Sequence, residues 1–167
     1  TTMIRSLTRY YPYTSGTITL LGNDLDGYSQ KELTDKLFYM PQKAFFFAGT
    51  IRDNLIYGLD RKVTDEEMRG ALRKACLLDS LIDKVSKASS KVHDALAYEI
   101  GEGGIGLSGG ECQRLSIARA FLRKPKLYIF DESTANLDAM TADKVLNHVE
   151  EYAKSIGAGV VYISHDK

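Results

Sequence analysis

The sequence predicts an α/β fold: a parallel-sheet core carrying an all-helical insertion. Three observations predict it. Short apolar runs without alternation, at 37–40, 127–130 and 160–163, read as strands, and the last two as strands buried on both faces. Segments with helical periodicity and capping residues separate them. Between the first and second of these strands the pattern turns mostly helical. At 167 residues the chain is long enough for one domain with a proper core, and hardly for two.

In chain order, the first helix is expected over 1–10, stopped near Pro12 and the Thr14-Ser15-Gly16 turn. Residues 17–21 alternate apolar and polar and close on Gly22-Asn23, a strand with a turn. Ser29 and Glu32, three apart, give 29–36 the pattern of a capping box and predict a short helix. The strand at 37–40 ends at Pro41. Helices are expected over 50–57, stopped by Gly58, and over 64–78. In the second, Thr64 and Glu67 form a capping box, and Met68, Ala71, Leu72 and Ala75 recur at helical spacing. Residues 84–93 are polar and weakly patterned, a helix end plus loop. Six of the ten residues from 101 to 110 are glycine, which is loop chemistry. A helix runs from Ser108 until Pro125 terminates it. Asp138 caps another over 139–155, with Val145, Leu146, Val149 and Tyr152 on one stripe.

Composition narrows the function classes. The 44% hydrophobic and 26% charged content is ordinary for a globular protein. With 22 basic and 22 acidic residues the net charge is zero, which argues against binding nucleic acid through phosphate neutralisation. No apolar run approaches the roughly 20 residues that span a bilayer, so membrane contact would come through a partner or another segment. Cys76 and Cys112 lie far apart and read as reduced structural thiols, and no Cys/His spacing suggests zinc. His93 and His148 read as structural or exposed. Residues 1–7 resemble the interior of a helix without a preceding cap, and the chain stops abruptly at His165-Asp166-Lys167. A fragment is therefore expected.

Chemistry concentrates in one pairing. Leu107-Ser108-Gly109-Gly110-Glu111 is followed sixteen residues later by an apolar run ending in Asp131-Glu132. A serine and two glycines opening a helix make an anion site from backbone N–H groups and the positive helix end. A strand ending in two carboxylates offers one to hold Mg²⁺ and one to act on water. Together, in this order, they point to nucleoside triphosphate hydrolysis.

These residues resemble the ATPase domains of ATP-binding cassette (ABC) transporters, over nearly the whole chain. Met40-Pro41-Gln42 is similar to the glutamine loop, Leu107 to Glu111 to the signature motif, and residues 127–132 to Walker B. Ala135-Asn136-Leu137-Asp138 is similar to the D-loop, and Ile163-Ser164-His165 to the histidine switch. Residues 46–55 resemble the segment after the glutamine in exporter-type members. Ile100-Gly101-Glu102-Gly103-Gly104 resembles the exporters' X-loop, which faces the coupling helices of the membrane domain.

The resemblance implies a P-loop NTPase (RecA-like) parallel-sheet core, N-terminally truncated, with an all-helical signature-motif subdomain inserted. The core portions would be 1–44 and 125–167 and the helical subdomain 45–124. Family members carry G-x-x-x-x-G-K-[ST] at the start of the first helix. Aligning Thr14-Ser15-Gly16 with the family's turn places Thr1 at the [ST] position, so that loop is expected upstream. Without it, the chain alone is expected to bind and hydrolyse ATP poorly.

By the same resemblance, Glu132 is the general base that polarises the attacking water. Asp131, Gln42 and Thr1 are ligands of Mg²⁺, and Thr2 bonds a phosphate of ATP. His165 contacts the γ-phosphate from the carboxyl edge of the sheet, where α/β proteins bind ligands. Ser108, Gly109 and Gly110 act in trans, capping ATP held by a second ABC ATPase domain, identical or paralogous, in a head-to-tail dimer. Asp138 crosses that interface, or serves simply as a helix N-cap, and the two roles are compatible. Transmembrane domains would be the other partners, at the cytoplasmic face of a membrane, and no nucleic acid is expected. Glu111 stands where glutamine is common and keeps an acceptor. Cys112, in the signature helix, is expected within reach of thiol reagents. A soluble cassette ATPase acting on DNA or ribosomes would usually carry long coiled-coil or basic insertions, which this sequence lacks. An importer subunit is disfavoured by residues 100–104, and a non-hydrolysing cassette by Glu132 and His165.

Overall fold

A computed structural model describes residues 2–88 and 94–164, excepting the side chains of Thr2, Met3 and Ala88. Helix α1 (Thr2–Leu7) stops short of the expected Tyr10, because Arg9 takes a left-handed backbone with φ of 57°. A left-handed residue cannot continue a right-handed helix. The Arg9 guanidinium donates to the Leu25 carbonyl and fixes that turn. Strands β1 (Thr19–Leu20) and β2 (Asn23–Asp24) form a short hairpin. Leu21 and Gly22, at φ of 52° and 82°, make its turn, the left-handed pair that suits the twist of antiparallel strands.

Helix α2 (Gln30–Lys36) opens with the expected Ser29/Glu32 capping box and leads directly into β3 (Leu37–Met40). The next segment carries β4 (Gly49–Thr50), α3 (Ile51–Ile56), α4 (Asp65–Lys74), α5 (Leu78–Ala88), β5 (Glu99–Ile100) and α6 (Gly109–Phe121). Capping boxes open α3 (Thr50/Asp53), α4 (Thr64/Glu67) and α6 (Ser108/Glu111). The single helix expected over 64–78 is interrupted. Cys76 is left-handed at φ of 54°, and the chain turns there before α5 begins. Helix α5 also replaces much of the helix end and loop expected at 84–93, of which 89–93 lie outside the described residues. Its buried Leu78, Leu81 and Val85 fall at helical spacing.

The chain then returns to β6 (Leu127–Asp131), α7 (Ala139–Ser155) and β7 (Gly159–Ile163). The main sheet is parallel with order β3-β6-β7, in the register Met40↔Phe130 and Asp131↔Ile163. Strand alternation splits β6 between two faces. Tyr128 and Phe130 join a large apolar cluster with Met40, Leu72, Leu115 and Val145, which runs from the sheet into the helical block and α7. Ile129 packs the other way, with Leu37 and Ile4 of α1. Helices thus cover both faces, as the unalternated run in β6 requires. Strand β7 departs from the expected full burial. It is the outer strand of the described sheet and leaves Val161 and Tyr162 at 39% and 37% exposure.

Candidate functional site

Parity along β6 decides where its terminal carboxylate goes. Asp131, two residues after Ile129, shares the α1 face and is only 3% exposed. The Tyr39 hydroxyl, from β3, donates to Asp131 Oδ2 at 3.1 Å. Burial first, then that bond, pushes the Tyr39 phenol above its ordinary pKa, so it remains a donor. Glu132 follows with φ of 51°, a left-handed backbone that costs a non-glycine residue about 1–2 kcal/mol. Its N–H donates to the Ile163 carbonyl at 2.9 Å. Its carboxylate accepts the side-chain amide of Gln42, which projects just beyond Pro41 at the end of β3. Gln42, Asp131, Arg5 and Lys43 line a common cleft beside Tyr10 and Tyr11.

The start of α6 lies against the loop that follows Glu132. The Ser108 hydroxyl accepts the Glu111 N–H at 3.2 Å, and the Glu111 carboxylate accepts the Ser108 N–H at 2.7 Å. Burial of Glu111 works to raise its pKa. Donation from Ser108 N–H, the Ser80 hydroxyl and Lys84, whose Nζ lies 3.2 Å away, outweighs that and holds it below the usual range. The intrahelical ladder does not use the N–H groups of Gly109 and Gly110. Both glycines lie against the loop that follows Glu132. A Cβ on Gly110 would sit 2.8 Å from the Asn136 carbonyl oxygen, and one on Gly109 3.6 Å from Asn136 Cγ. Asp138 caps α7 by accepting the Thr141 N–H at 3.0 Å, and that bond draws its pKa down.

The structure therefore brings Gln42, Asp131 and Glu132 together, and sets Gly109 and Gly110, with Ser108 capping their helix, against the loop leading to Asp138. Thr1, His165 and the Thr2 side chain lie outside the described residues, as does His93. His148 has a structural partner, its Nδ1 2.7 Å from the Lys74 carbonyl at the end of α4. Cys112 is less open than expected. It is half-buried under Gly104, and burial first, then Glu111, raises its thiol pKa.

Two residues escaped the sequence reading. Tyr39 is one, and its signal is a phenol within an apolar strand, which needs a buried partner. Gln113 is the other. Its Nε2 donates to the Glu132 carbonyl at 3.3 Å, and its Oε1 accepts the Asn136 N–H at 2.9 Å. It lies four residues before Ile117 on the buried side of α6, and a polar residue on an apolar stripe was the available signal.

The segments resembling exporter loops are joined to each other. Gly49 pairs with Ile100 across β4 and β5, and Gly103 N–H donates to the Phe46 carbonyl at 2.9 Å. Arg119 of α6 holds the first of them. It donates to the carbonyls of Phe45 at 2.7 Å and Asn54 at 2.8 Å, and its guanidinium lies 4.5 Å from the Phe46 ring centre. Burial lowers its pKa to about 10, so it is still cationic at neutral pH, satisfied by carbonyl dipoles and an aromatic face.

A parallel sheet with this strand-end chemistry and a helical block beside it defines an α/β P-loop NTPase. The structure matches part of a bacterial Atm1-family ABC exporter with ATP bound, with a TM-score of 0.84 and 32% identity, over 99% of this chain and 27% of that one. The ABC transporter family pattern matches residues 1–135, and the chain belongs to that family. It is 35% identical to a protein of Rickettsia typhi described as an export ATP-binding/permease protein, over 98% of this chain and 27% of that protein. It is 37% identical to a multidrug resistance ABC transporter ATP-binding and permease protein of Lactococcus lactis subsp. cremoris, over 98% of this chain and 26% of that protein. The chain thus spans about a quarter of the length of these relatives. Their descriptions favour the exporter reading over DNA-associated, ribosome-associated and importer cassettes.

Proposed function

We propose that this chain is the ATP-hydrolysing motor domain of an ABC exporter, working at the cytoplasmic face of a membrane. The observation that carries the reading is Glu132, held by the Gln42 amide beside the buried Asp131 at the end of a parallel strand. Glu132 takes up the proton of the attacking water as its oxygen bonds the γ-phosphorus, while the bond from that phosphorus to the ADP oxygen breaks. His165 contacts the γ-phosphate, and Thr2 bonds a phosphate.

Mg²⁺ fits the donor set. Among the described residues there is no cluster of three or more His, Cys, Asp or Glu that would suit a metal held by protein alone. An oxygen-only set of Asp131, Gln42 and Thr1 suits an ion that takes its remaining ligands from phosphates and water. Bound there, Mg²⁺ would neutralise charge on the phosphate oxygens.

The start of α6 serves a second site. Ser108, Gly109 and Gly110 close on ATP held by another ABC ATPase domain, with Asp138 at the same interface. Transmembrane domains dock where Phe45 and Tyr57, 64% and 60% exposed, flank the apolar cleft beside Phe38 and Ala44. No helix among the described residues is long and apolar enough to cross a membrane.

Glu132→Gln in the full-length transporter tests the reading. Turnover is expected to fall by about a hundredfold or more, with ATP binding retained. Near-normal hydrolysis would overturn the general-base assignment.

A further inference from the structure

We infer that Gln113 is a positioning residue for turnover: it holds the backbone of Glu132 and the Asn136 loop in register with the start of α6. The inference rests on the proposed role of Glu132. A left-handed glutamate persists only where its surroundings over-determine it. Here strand β7 takes the Glu132 N–H through Ile163, and Gln113 takes its carbonyl. The peptide groups on both sides of the glutamate are thereby fixed, which fixes the direction in which its carboxylate leaves the chain.

The same amide spends its oxygen on the Asn136 N–H. Gln113 is 5% exposed, so water is a poor substitute for either bond; without it the Asn136 N–H loses its acceptor, and the Glu132 carbonyl keeps only the Ala135 N–H at 3.3 Å. Helical side chains lean toward the N-terminus of their helix, and Gln113 sits one turn after Gly109 and Gly110. Its bonds and the close approach of Asn136 to those glycines therefore act on one body, made of the helix start, residue 132 and the Asn136 loop. A movement of the helix start toward the partner's nucleotide carries the backbone of Glu132 with it. Turnover at one site then depends on closure at the other through a link within a single chain.

The test compares Gln113→Met and Gln113→Glu with Glu132→Gln in the full-length transporter, with turnover normalised to sites titrated by a fluorescent ATP analogue. Gln113→Met keeps the side-chain volume and removes both bonds. Gln113→Glu keeps the acceptor for Asn136 and removes the donor to Glu132. Displacing a catalytic group by a fraction of an ångström predicts a kcat about tenfold or more lower in Gln113→Met, with KM for ATP within about twofold of the parent. Gln113→Glu should fall between the two, whatever the order of the melting temperatures. A merely structural role would lower the number of titrated sites and leave kcat per site alone. Parent-like kcat per site in Gln113→Met, beside a dead Glu132→Gln, overturns the inference and leaves the function reading intact. Near-normal turnover in Glu132→Gln removes both.

Discussion

The strand end at Asp131-Glu132 and the helix start at Ser108-Gly110 carry the proposed site chemistry, and they are built in opposite ways. Asp131 is buried and takes the Tyr39 hydroxyl, while Glu132 is strained and held through its N–H, carbonyl and carboxylate. The helix start is exposed at Ser108 and Gly109, and its capping box pairs Ser108 with Glu111. The Ser108 hydroxyl uses its oxygen for the Glu111 N–H and keeps its proton for another acceptor. A group that must abstract a proton at a fixed distance needs restraint from several directions. A group that must meet a nucleotide on another chain needs donors turned outward and a base that does not move. Lys84 and Ser80 supply that base by holding Glu111.

Gly110→Ala should disturb the comparison most, because Gly110 is where the helix start meets the loop that follows the strand end. Alanine suits a helix better than glycine by about 1 kcal/mol. Its Cβ, however, would meet the Asn136 carbonyl at 2.8 Å, and backbone cannot swing aside as a flexible side chain can. Turnover should drop by about a hundredfold, with the melting temperature of the domain little changed. A stopped assay alongside calorimetry checks both halves, and unaffected turnover would mean the contact is slack.

Tyr39→Phe touches the strand end alone. It keeps the ring and removes the donor to Asp131. If Asp131 holds the metal as proposed, loss of its outer partner predicts about tenfold weaker Mn²⁺ binding in the presence of ATP. Electron spin resonance reads that affinity directly, and an unchanged value would free Asp131 from dependence on Tyr39.

The smallest effect belongs to the helix start. The Glu111 pKa is lowered in the folded chain from an ordinary value of 4.5. Its contribution to stability is therefore complete above that value and lost as pH falls through the lower folded one. Glu111→Gln should flatten the acid limb of the stability curve below pH 4.5 and leave the neutral region nearly parallel to the parent. Urea unfolding at a series of pH values measures it, and identical acid limbs would show that the carboxylate charge is not what the donors stabilise.

Legibility differed by element. The capping boxes at Ser29 and Thr64 and the Asp138 cap gave helix starts that the structure matches, because a cap is a local bond between residues three apart. The Cys76 break inside 64–78 was not readable, since nothing in a cysteine favours a left-handed backbone and the turn serves packing of α5. Asp131 and Glu132 stood out as two carboxylates ending an apolar run, and Gln42 was picked out only through the resemblance to the family. Their shared bonds were not legible, because Gln42 and Glu132 are ninety positions apart and meet only through the pairing of β3 with β6.

The sequence by itself determined the strands of the main sheet, the helix caps and the order of the motifs. Those follow from local bonding and from the period of apolar residues, which a linear chain displays. Only the tertiary structure decided that Tyr39 reaches Asp131 and that Gln113 joins the signature helix to the backbone of the glutamate. Strand register and helix packing set those distances, and both depend on surfaces contributed by residues far apart in the chain.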